Sequence, residues 1–354
     1  MKVLVTGHDG YIGTVLVPML QAKGHEVTGL DSGWFSDCGF GPAPSSPESL
    51  ILADVRDVQA AQLEGFDAVI HLAALSNDPL GDMRPELTYE INHLASTRLA
   101  RLASQVGVPR FIFSSSCSLY GAAGDDYLDE EASFNPVTPY GRSKILVEQD
   151  LTKLASSVFS PTYLRNATAY GLSARLRGDL VVNNLTGLAF TSGQVLMKSD
   201  GTPWRPLVHI EDIARAFIAV LHAPLDMVHD QAFNVGRTEE NYRVREVAEI
   251  VEQTVPGSRV SFADGAGPDA RNYRVDCGKI ARMLPEFQPE WTVRRGVEQL
   301  YQALLDNGMS YEEFMGPKYL RIKHIQALQQ AGVLNNDLRF GRAGSARVAS
   351  TSHV

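Results

Sequence analysis

A glycine-rich segment near the amino terminus, Thr6–Gly13, constrains the fold of this chain more than any other feature. It follows the apolar run Lys2–Val5, which predicts a β-strand, and it opens Tyr11–Lys23, whose apolar spacing predicts an α-helix. In such a strand–loop–helix unit one glycine permits the tight turn, one lets the backbone approach a pyrophosphate and one allows close helix packing. The N–H groups that open the helix add partial positive charge, so the segment predicts a dinucleotide site. The three glycines are Gly7, Gly10 and Gly13.

The second predicted strand, Glu26–Leu30, ends at an acidic residue, Asp31. A carboxylate at this position accepts hydrogen bonds from the adenosine ribose hydroxyls and repels a 2′-phosphate. The ten residues after Asp31 contain no arginine. The sequence therefore predicts NAD rather than NADP as the dinucleotide.

Strand and helix patterns alternate along the first half of the chain. Nearly continuous apolar runs at Ala68–Leu72 and Arg110–Ser114 each follow a helical stretch, and Phe233–Val235 is a later strand-like run. This alternation predicts an α/β protein with a Rossmann doubly wound parallel sheet of about seven strands, covered on both faces. A loop rich in Gly, Pro and Ser, Ser32–Ser49, interrupts the rhythm, and its aromatic residues predict a partly ordered flap.

The later part of the chain predicts a second unit. We expect 1–165 to form the dinucleotide-binding domain, with 206–237 returning to it. A smaller C-terminal α/β substrate-binding domain is expected from 166–205 and 238–340. Residues 341–354 are small and polar, contain no acid, and predict a disordered tail.

Charge and composition exclude several classes of protein. The 354 residues include 32 Lys and Arg against 41 Asp and Glu, a formal net charge of −9 that argues against a nucleic-acid partner. No run approaches the ~18 apolar residues of a membrane span, and the amino terminus lacks a signal-peptide pattern. Three cysteines without a CxxC pair fit a cytoplasmic protein with no zinc site.

A second motif, at 138–144, contains side chains that could catalyse proton transfer. Thr138 and Pro139 predict the start of a helix on which Tyr140 and Lys144 are four residues apart and share a face. An ammonium beside a phenol favours the phenolate and lowers the tyrosine pKa from ~10. Tyr140 is therefore a candidate acid–base for alcohol–carbonyl chemistry. The alternative for this pair by itself is an ordinary surface helix.

With these segments in place, the chain resembles an extended short-chain dehydrogenase/reductase of the NAD-dependent nucleotide-sugar epimerase/dehydratase group. The resemblance spans about two-thirds of the chain. The matching segments, in the expected order, are TGHDGYIG at 6–13, HLAA at 71–74, SSSCSLYG at 114–121, PYGRSK at 139–144 and WRPLVHIEDIARA at 204–216.

The resemblance assigns the catalytic residues. It implies that Ser116 hydrogen-bonds the reacting sugar hydroxyl, that Tyr140 accepts and donates the proton, and that Lys144 binds the nicotinamide ribose and tunes Tyr140. Asn92 matches an asparagine that supports the lysine and cofactor, and its alternative is a helix-surface amide. His71 is interpreted as a packed structural histidine.

The remaining cofactor residues follow from the loop and the strand ends. Asp54 and Val55 either contact adenine or, for Asp54, cap a helix, and both interpretations stay open. Small residues after the fourth strand leave room for the cofactor. The complete candidate set is Gly7, Gly10, Tyr11, Ile12, Gly13, Asp31, Asp54, Val55, Leu72, Ala73, Ala74, Asn92, Tyr140 and Lys144.

The resemblance also implies a nucleotide-sugar substrate. Asn184 and Leu185 match the segment that meets the diphosphate and sugar, Arg205 matches the arginine that clamps the diphosphate, and Tyr273 matches a position that shapes the sugar pocket. Other positions depart from the family pattern on the sugar side. The departing candidates for substrate contact are Ser76, Cys117, Thr168 and Arg271, with Arg274 as the alternative to Arg271.

One departure from the family pattern, at residues 117 and 118, argues against one of the family's reactions, 4,6-dehydration. The family's 4,6-dehydratases follow the catalytic serine or threonine with an Asp–Glu pair, where this chain has Cys117 and Ser118. The sequence therefore favours an NAD-dependent epimerase that inverts C4 through a transient 4-ketosugar. The alternatives are a nucleotide-ketosugar reductase, another epimerase with a keto intermediate, or a non-catalytic nucleotide-binding protein. Cys117 is either a catalytic base or a buried apolar residue.

The family usually dimerises, so a homodimer is expected through the helix that carries Tyr140 and the long helix before it. The segment 309–340 extends beyond the shortest family members, and the sequence leaves open whether it packs near the site or at an interface.

Overall fold

The computed structural model describes residues 1–76, 84–267 and 271–341, with Ala266 described by its backbone alone. The predicted tail 341–354 lies outside these ranges except for Gly341. The described strands are β1 (Lys2–Thr6), β2 (Glu26–Asp31), β3 (Ser49–Leu52), β4 (Ala68–His71), β5 (Arg110–Ser116), β6 (Ala122–Leu128), β7 (Ser160–Asn166), β8 (Thr168–Tyr170), β9 (Gln194–Ser199), β10 (Trp204–His209), β11 (Gln231–Val235), β12 (Asn241–Arg243), β13 (Arg259–Gly267) and β14 (Asn272–Val275).

The helices connect these strands. They are α1 (Gly13–Ala22), α2 (Pro85–Thr88), α3 (Ala95–Gln105), α4 (Pro139–Thr152), α5 (Val181–Ser192), α6 (Ile210–His222), α7 (Leu225–Val228), α8 (Val244–Thr254), α9 (Gly278–Met283), α10 (Val293–Asp306), α11 (Tyr311–Phe314) and α12 (Arg321–Gln330). A π-helical turn, Tyr89–Leu94, joins α2 to α3, and short 3₁₀ turns include Val55–Asp57 and Cys117–Leu119.

Seven strands form one parallel sheet in the order β11-β7-β5-β4-β1-β2-β3. The predicted fold class is confirmed. Every residue of β4 and β7 is buried, as expected when helices cover both faces. The strand order reverses beside β1, where Val3 pairs with Val27 of β2 on one side and Ala68 of β4 on the other. A reversal of this kind leaves a crevice at the carboxyl ends of the strands, where ligands bind.

The smaller sheets lie outside this unit. β10 pairs with β8 and β12 in a three-stranded sheet, while β9 pairs with β13 and β6 with β14. The strand predicted at Leu207–His209 is β10, which begins earlier, at Trp204. It belongs to the three-stranded sheet, where it pairs with β8. The chain rejoins the large sheet at β11, and the buried face of α6 belongs to the same core.

The C-terminal segment differs from its expected place in the substrate domain. Ile325, Leu328, Leu334 and Leu338 are buried in the hydrophobic core that also contains Leu4 of β1. The guanidinium of Arg56 donates to the backbone oxygens of Asp337 and Leu338 at 2.9 and 3.0 Å. Residues 325–338 therefore pack on the unit that contains the large sheet.

The described ranges contain neither a candidate membrane span nor a candidate metal-binding cluster. No helix there has both the length and the apolar character needed to cross a membrane. The same ranges hold no group of three or more His, Cys, Asp or Glu side chains that could bind a metal ion.

Candidate active site

A cavity of about 1050 Å³ lies at the carboxyl ends of β1, β2, β4 and β5. It brings together nearly all of the site residues predicted from the sequence. Those that line it are Gly7, Gly10, Tyr11, Ile12, Gly13, Asp31, Asp54, Val55, Leu72, Ala73, Ala74, Ser76, Ser116, Tyr140, Lys144, Thr168, Asn184, Leu185, Arg205, Arg271 and Tyr273. Asn92 and Cys117 do not line it, as described below.

The glycine loop has the form that a dinucleotide phosphate requires. Gly7 has φ +74°, a left-handed conformation that favours glycine, and a Cβ there would lie 2.8 Å from the backbone nitrogen of Ala73. A Cβ on Gly13 would lie 2.3 Å from the carbonyl oxygen of His8. Because α1 begins at Gly13 and the loop lines the cavity, its free N–H groups fit an anionic diphosphate.

Replacing Gly13 by alanine is expected to weaken NAD binding at least tenfold, about 1.4 kcal/mol. The added methyl group overlaps two backbone carbonyls, those of His8 and Gly7, which cannot move without opening the loop. Isothermal titration with NAD measures the change. Gly39→Ala is the matched control, since its Cβ would meet only the Arg175 side chain at 3.7 Å. Equal NAD affinity in the wild type and Gly13→Ala would contradict this prediction.

Tyr11 supports the loop with its side chain. Its hydroxyl donates to the Gly171 oxygen at 2.7 Å and accepts from Asn183 Nδ2 at 3.1 Å. Burial raises the pKa of Tyr11, so the phenol stays neutral. Its backbone oxygen accepts from Ser173 Oγ at 2.9 Å, which ties the loop to the segment after β8.

Asp31 ends β2 at the wall of the cavity, as predicted. Its carboxylate accepts from the Gly33 N–H at 2.8 Å and the Asp9 N–H at 3.3 Å. Burial raises the pKa of Asp31, while the hydrogen bond from Gly33 acts in the opposite direction. The carboxylate is thus anchored at the position that suits recognition of a ribose diol.

Asp54 caps a helical turn, which is one of the two interpretations that the sequence left open, and its contact with adenine stays a prediction. Its carboxylate accepts from the Arg56 N–H at 2.9 Å and so caps the turn Val55–Asp57. It also forms a 2.6 Å ion pair with the Arg56 side chain while lining the cavity. Burial opposes ionisation of Asp54, but the bonds from Arg56 outweigh it and lower the carboxyl pKa.

His71 has the structural role expected of it. Its ring nitrogens contact Thr6 Oγ1 at 2.6 Å and Ser96 Oγ at 2.7 Å, and the residue is buried. Burial lowers the pKa of His71 to about 3, which keeps the imidazole neutral. It therefore fixes the end of β4, from which Leu72–Ala74 enter the cavity wall.

The Tyr140–Lys144 pair lies on α4 as the spacing predicts. Thr138 Oγ1 accepts from the Gly141 N–H at 3.2 Å and caps the helix. Lys144 Nζ lies 5.4 Å from the centroid of the Tyr140 ring and donates to the Ser114 oxygen at 2.6 Å. Burial lowers the pKa of Lys144 to about 7.

Ser116 is the last residue of β5, and it lines the same cavity as Tyr140 and Lys144 of α4. Its Oγ accepts from the Ser118 N–H at 3.2 Å, which holds the hydroxyl at the strand end. A serine hydroxyl, a phenol and an ammonium thus border one cavity together with the glycine loop. This set can bind an alcohol and move its proton.

Asn92 is neither a surface amide nor part of the cavity wall. It is buried in the π-helical turn, where its Oδ1 accepts from the Leu75 N–H at 2.7 Å and its Nδ2 donates to the Leu75 oxygen at 3.0 Å. Nδ2 also lies 3.3 Å from Ser143 Oγ. Asn92 therefore joins the segment after β4 to α4 beside Lys144, which is a positioning contact.

Cys117 lies in the core, apart from the cavity. Its thiol is buried and lies 3.0 Å from the Arg165 oxygen. Burial raises the pKa of Cys117, which disfavours the thiolate that a base requires. The chain turns directly after Ser116, so these adjacent side chains have different surroundings. This geometry argues against substrate contact by Cys117.

The substrate candidates line the same cavity. Asn184 Nδ2 donates to the Gly178 oxygen at 2.7 Å, and Leu185 follows it on α5. Arg205 is buried and donates to the backbone oxygen of Arg271, which holds the arginine against the wall. Thr168 and Tyr273 complete the predicted wall.

Four charged residues of the wall were missed by the sequence analysis: Arg177, Asp179, Lys198 and Arg321. Arg177 pairs with Asp179 at 2.9 Å and donates to Ser76 Oγ at 3.0 Å. The alternation of Arg175, Arg177 and Asp179 within a polar connection was the available signal. Arg321 comes from the C-terminal segment 309–340, for which the sequence left open a place near the site, and the structure puts it in the cavity wall.

Fold and site define a dinucleotide-binding α/β enzyme. The chain belongs to the NAD-dependent epimerase/dehydratase family, whose model matches residues 3–236. It is 31% identical over 268 residues to UDP-glucose 4-epimerase of Corynebacterium glutamicum, covering 72% of this chain and 80% of that protein. It is 28% identical to the Bacillus subtilis UDP-glucose 4-epimerase, covering 85% and 94% of the two chains.

Solved structures of other proteins have the same fold as this chain. The complex of MoeE5 with UDP-glucuronic acid and NAD has a TM-score of 0.75 and 27% identity, covering 86% of this chain and 99% of that one. UDP-glucose 4-epimerase of Thermotoga maritima shares the fold, with a TM-score of 0.76, 23% identity and coverage of 87% and 100%. The protein is therefore an NAD-dependent, sugar-modifying enzyme of this family, as the sequence analysis expected.

Proposed function

We propose that this protein is a nucleotide-sugar epimerase that inverts C4 through a transient 4-ketosugar. The observation that carries the proposal is the shared cavity: Ser116, Tyr140 and Lys144 border the same space as the glycine loop. The names of the relatives support the reaction, since proteins 31% and 28% identical to this chain are UDP-glucose 4-epimerases.

The residues act on one sugar hydroxyl. Tyr140 takes its proton and later returns it, while Ser116 donates a hydrogen bond to the oxygen that becomes the carbonyl. Lys144, fixed by the Ser114 oxygen, supplies positive charge near the phenol in its protonated form. The glycine loop and Asp31 would hold NAD, which would supply the hydride acceptor and donor for removal of hydride from the sugar carbon and its return to the opposite face.

The carboxylates support epimerisation over dehydration. An elimination needs an acid–base pair beside the sugar, and Cys117 and Ser118 supply none after the catalytic serine. Among the acids that line the described cavity, Asp31 ends β2 and Asp54 follows β3, on the adenosine side of the cleft, and Asp179 is paired with Arg177.

The substrate diphosphate is assigned to Asn184, Leu185 and Arg205, which line the same cavity as the glycine loop. A guanidinium that is buried and held by backbone oxygens is a suitable fixed partner for a diphosphate. Thr168, Tyr273, Ser76 and Arg271 are assigned to the sugar side. A homodimer and a cytoplasmic location remain predictions.

Proton NMR in D₂O with UDP-, dTDP-, GDP- and CDP-sugars tests the reaction. We expect one nucleotide sugar to reach an equilibrium of two C4 epimers, without deuterium at carbon and without added NAD. Deuterium beside the ketone would instead indicate deprotonation at carbon. If the purified protein holds no NAD and consumes added NADH stoichiometrically, it is a nucleotide-ketosugar reductase. If it turns over none of the sugars, the result supports a non-catalytic nucleotide-binding protein.

A further inference from the structure

The C-terminal segment forms one wall of the cavity, at a distance of about 300 residues along the chain from the glycine loop. Met315, Leu320, Arg321 and Ile322 line this wall. The solved relative with bound NAD is matched over 99% of its length yet covers only 86% of this chain, so this chain carries additional residues.

Two contacts fasten this wall to the loop that follows β2. The Arg321 guanidinium lies 4.0 Å from the centroid of the Phe35 ring. His324 Nε2 lies 2.7 Å from the Trp34 oxygen. Trp34 and Phe35, three and four residues after Asp31, also line the cavity. The segment thus covers the side of the cleft on which the ribose and phosphates of a dinucleotide lie.

Arg321 itself is buried without a matching negative charge. Its side chain lines the cavity and its residue is 6% exposed. Nη2 donates to the Arg175 oxygen at 3.2 Å, whereas Nη1 has no hydrogen-bond partner among the described residues. A buried cation is costly unless an anion and hydrogen bonds compensate it, so this guanidinium has unused binding capacity.

The neighbouring acids are already engaged. Arg175 pairs with Asp9 at 2.6 Å, and Arg177 pairs with Asp179 at 2.9 Å. Arg175, Arg177 and Arg321 are all buried, and among the described residues Arg321 is the one of these three for which no ion pair is formed. Arg175 belongs to the segment that holds the Tyr11 backbone through Ser173, so the surplus positive charge lies close to the glycine loop.

We propose that Arg321 is a cofactor-binding residue, which the C-terminal wall brings to the dinucleotide cleft to bind the NAD diphosphate opposite the glycine loop. The loop supplies N–H groups to one side of the anion, and Arg321 supplies a charged donor from the other. Because Arg321 is carried by a separate segment, it also links retention of NAD to docking of residues 315–324. The inference rests on the family cofactor and is independent of the sugar reaction.

Arg321→Met is the variant that tests this role, because methionine keeps an apolar stem against Phe35 and removes the charge. We expect the dissociation constants of NAD and ADP-ribose to rise at least tenfold in isothermal titration of the stripped protein. Adenosine, which lacks the diphosphate, and UDP, the diphosphate of the other ligand, should bind as they do to the wild type. Arg321→Lys should retain part of the affinity.

If Arg321 had only a structural role, Arg321→Met would make the stripped protein less stable and leave its NAD affinity unchanged. If Arg321 binds the cofactor, stripped Arg321→Met is at least as stable as the stripped wild type, and only the rise in unfolding midpoint on adding NAD becomes smaller. Lys323→Gln is the matched control, since it removes an exposed cation from the same helix. Unchanged NAD affinity, loss of UDP affinity instead, or a less stable stripped protein with normal NAD binding would each overturn the proposal.

Discussion

Replacing Tyr140 by phenylalanine is expected to reduce the turnover number by about 10²- to 10⁴-fold, the usual contribution of a positioned acid–base group. The change removes one oxygen and leaves the ring, α4 and its Thr138 cap in place. Steady-state epimerisation on the nucleotide sugar identified by NMR measures the loss.

The bound cofactor distinguishes a chemical defect from a binding defect. Tyr140→Phe should copurify with the same amount of NAD per chain as the wild type, because the glycine loop and Asp31 are untouched. Tyr311→Phe is the matched control, since its hydroxyl belongs to an exposed side chain outside the cavity. Turnover of Tyr140→Phe within threefold of the wild type would contradict the mechanism proposed here.

Replacing Arg165 by methionine is expected to lower the free energy of unfolding by about 3–5 kcal/mol, because it leaves the Glu148 carboxylate buried without its cation. Arg165 Nη2 pairs with Glu148 Oε2 at 2.7 Å, and both side chains are only 6% exposed. Glu148 lies one turn after Lys144 on α4 and accepts from Ser115 Oγ at 2.5 Å. Through these contacts Glu148 joins α4 to β5 and β7.

Urea denaturation of the stripped protein measures this change. Lys153→Met is the matched control, since Lys153 pairs with Asp150 at 2.9 Å but is 72% exposed, and we expect at most about 1 kcal/mol. The double variant Arg165→Met with Glu148→Leu should recover much of the loss, because neither charge is then buried alone. A loss below 1 kcal/mol in Arg165→Met would show that Glu148 finds another partner or a proton.

The sequence predicted the large sheet and most of its strands. The buried runs of β1, β2, β4 and β5 are short, apolar and separated by helical patterns, so local periodicity was sufficient. It also predicted the glycine loop, because the tight turn at Gly7 and the close approach at Gly13 are steric requirements of a few adjacent residues. The pair on α4 followed from the helical repeat alone.

Other features depended on how the chain surrounds each side chain. Ser116 and Cys117 are adjacent, yet one borders the cavity and the other is in the core, because β5 ends between them. Asn92 was open to interpretation as a surface amide, and only the packing of its π-helical turn against Leu75 and α4 buries it. Neither outcome has a signature in residue spacing.

The sequence by itself determined the dinucleotide fold, the family, NAD and the Tyr140–Lys144 pair, because short-range sterics and the periods of helix and strand encode them. The tertiary structure alone decided which charges meet in the cleft. Arg177 pairs with Asp179 and reaches Ser76, while Arg321 arrives from the far end of the chain and stacks on Phe35. Such pairings depend on the packing of distant segments, and spacing along the chain carries no record of them.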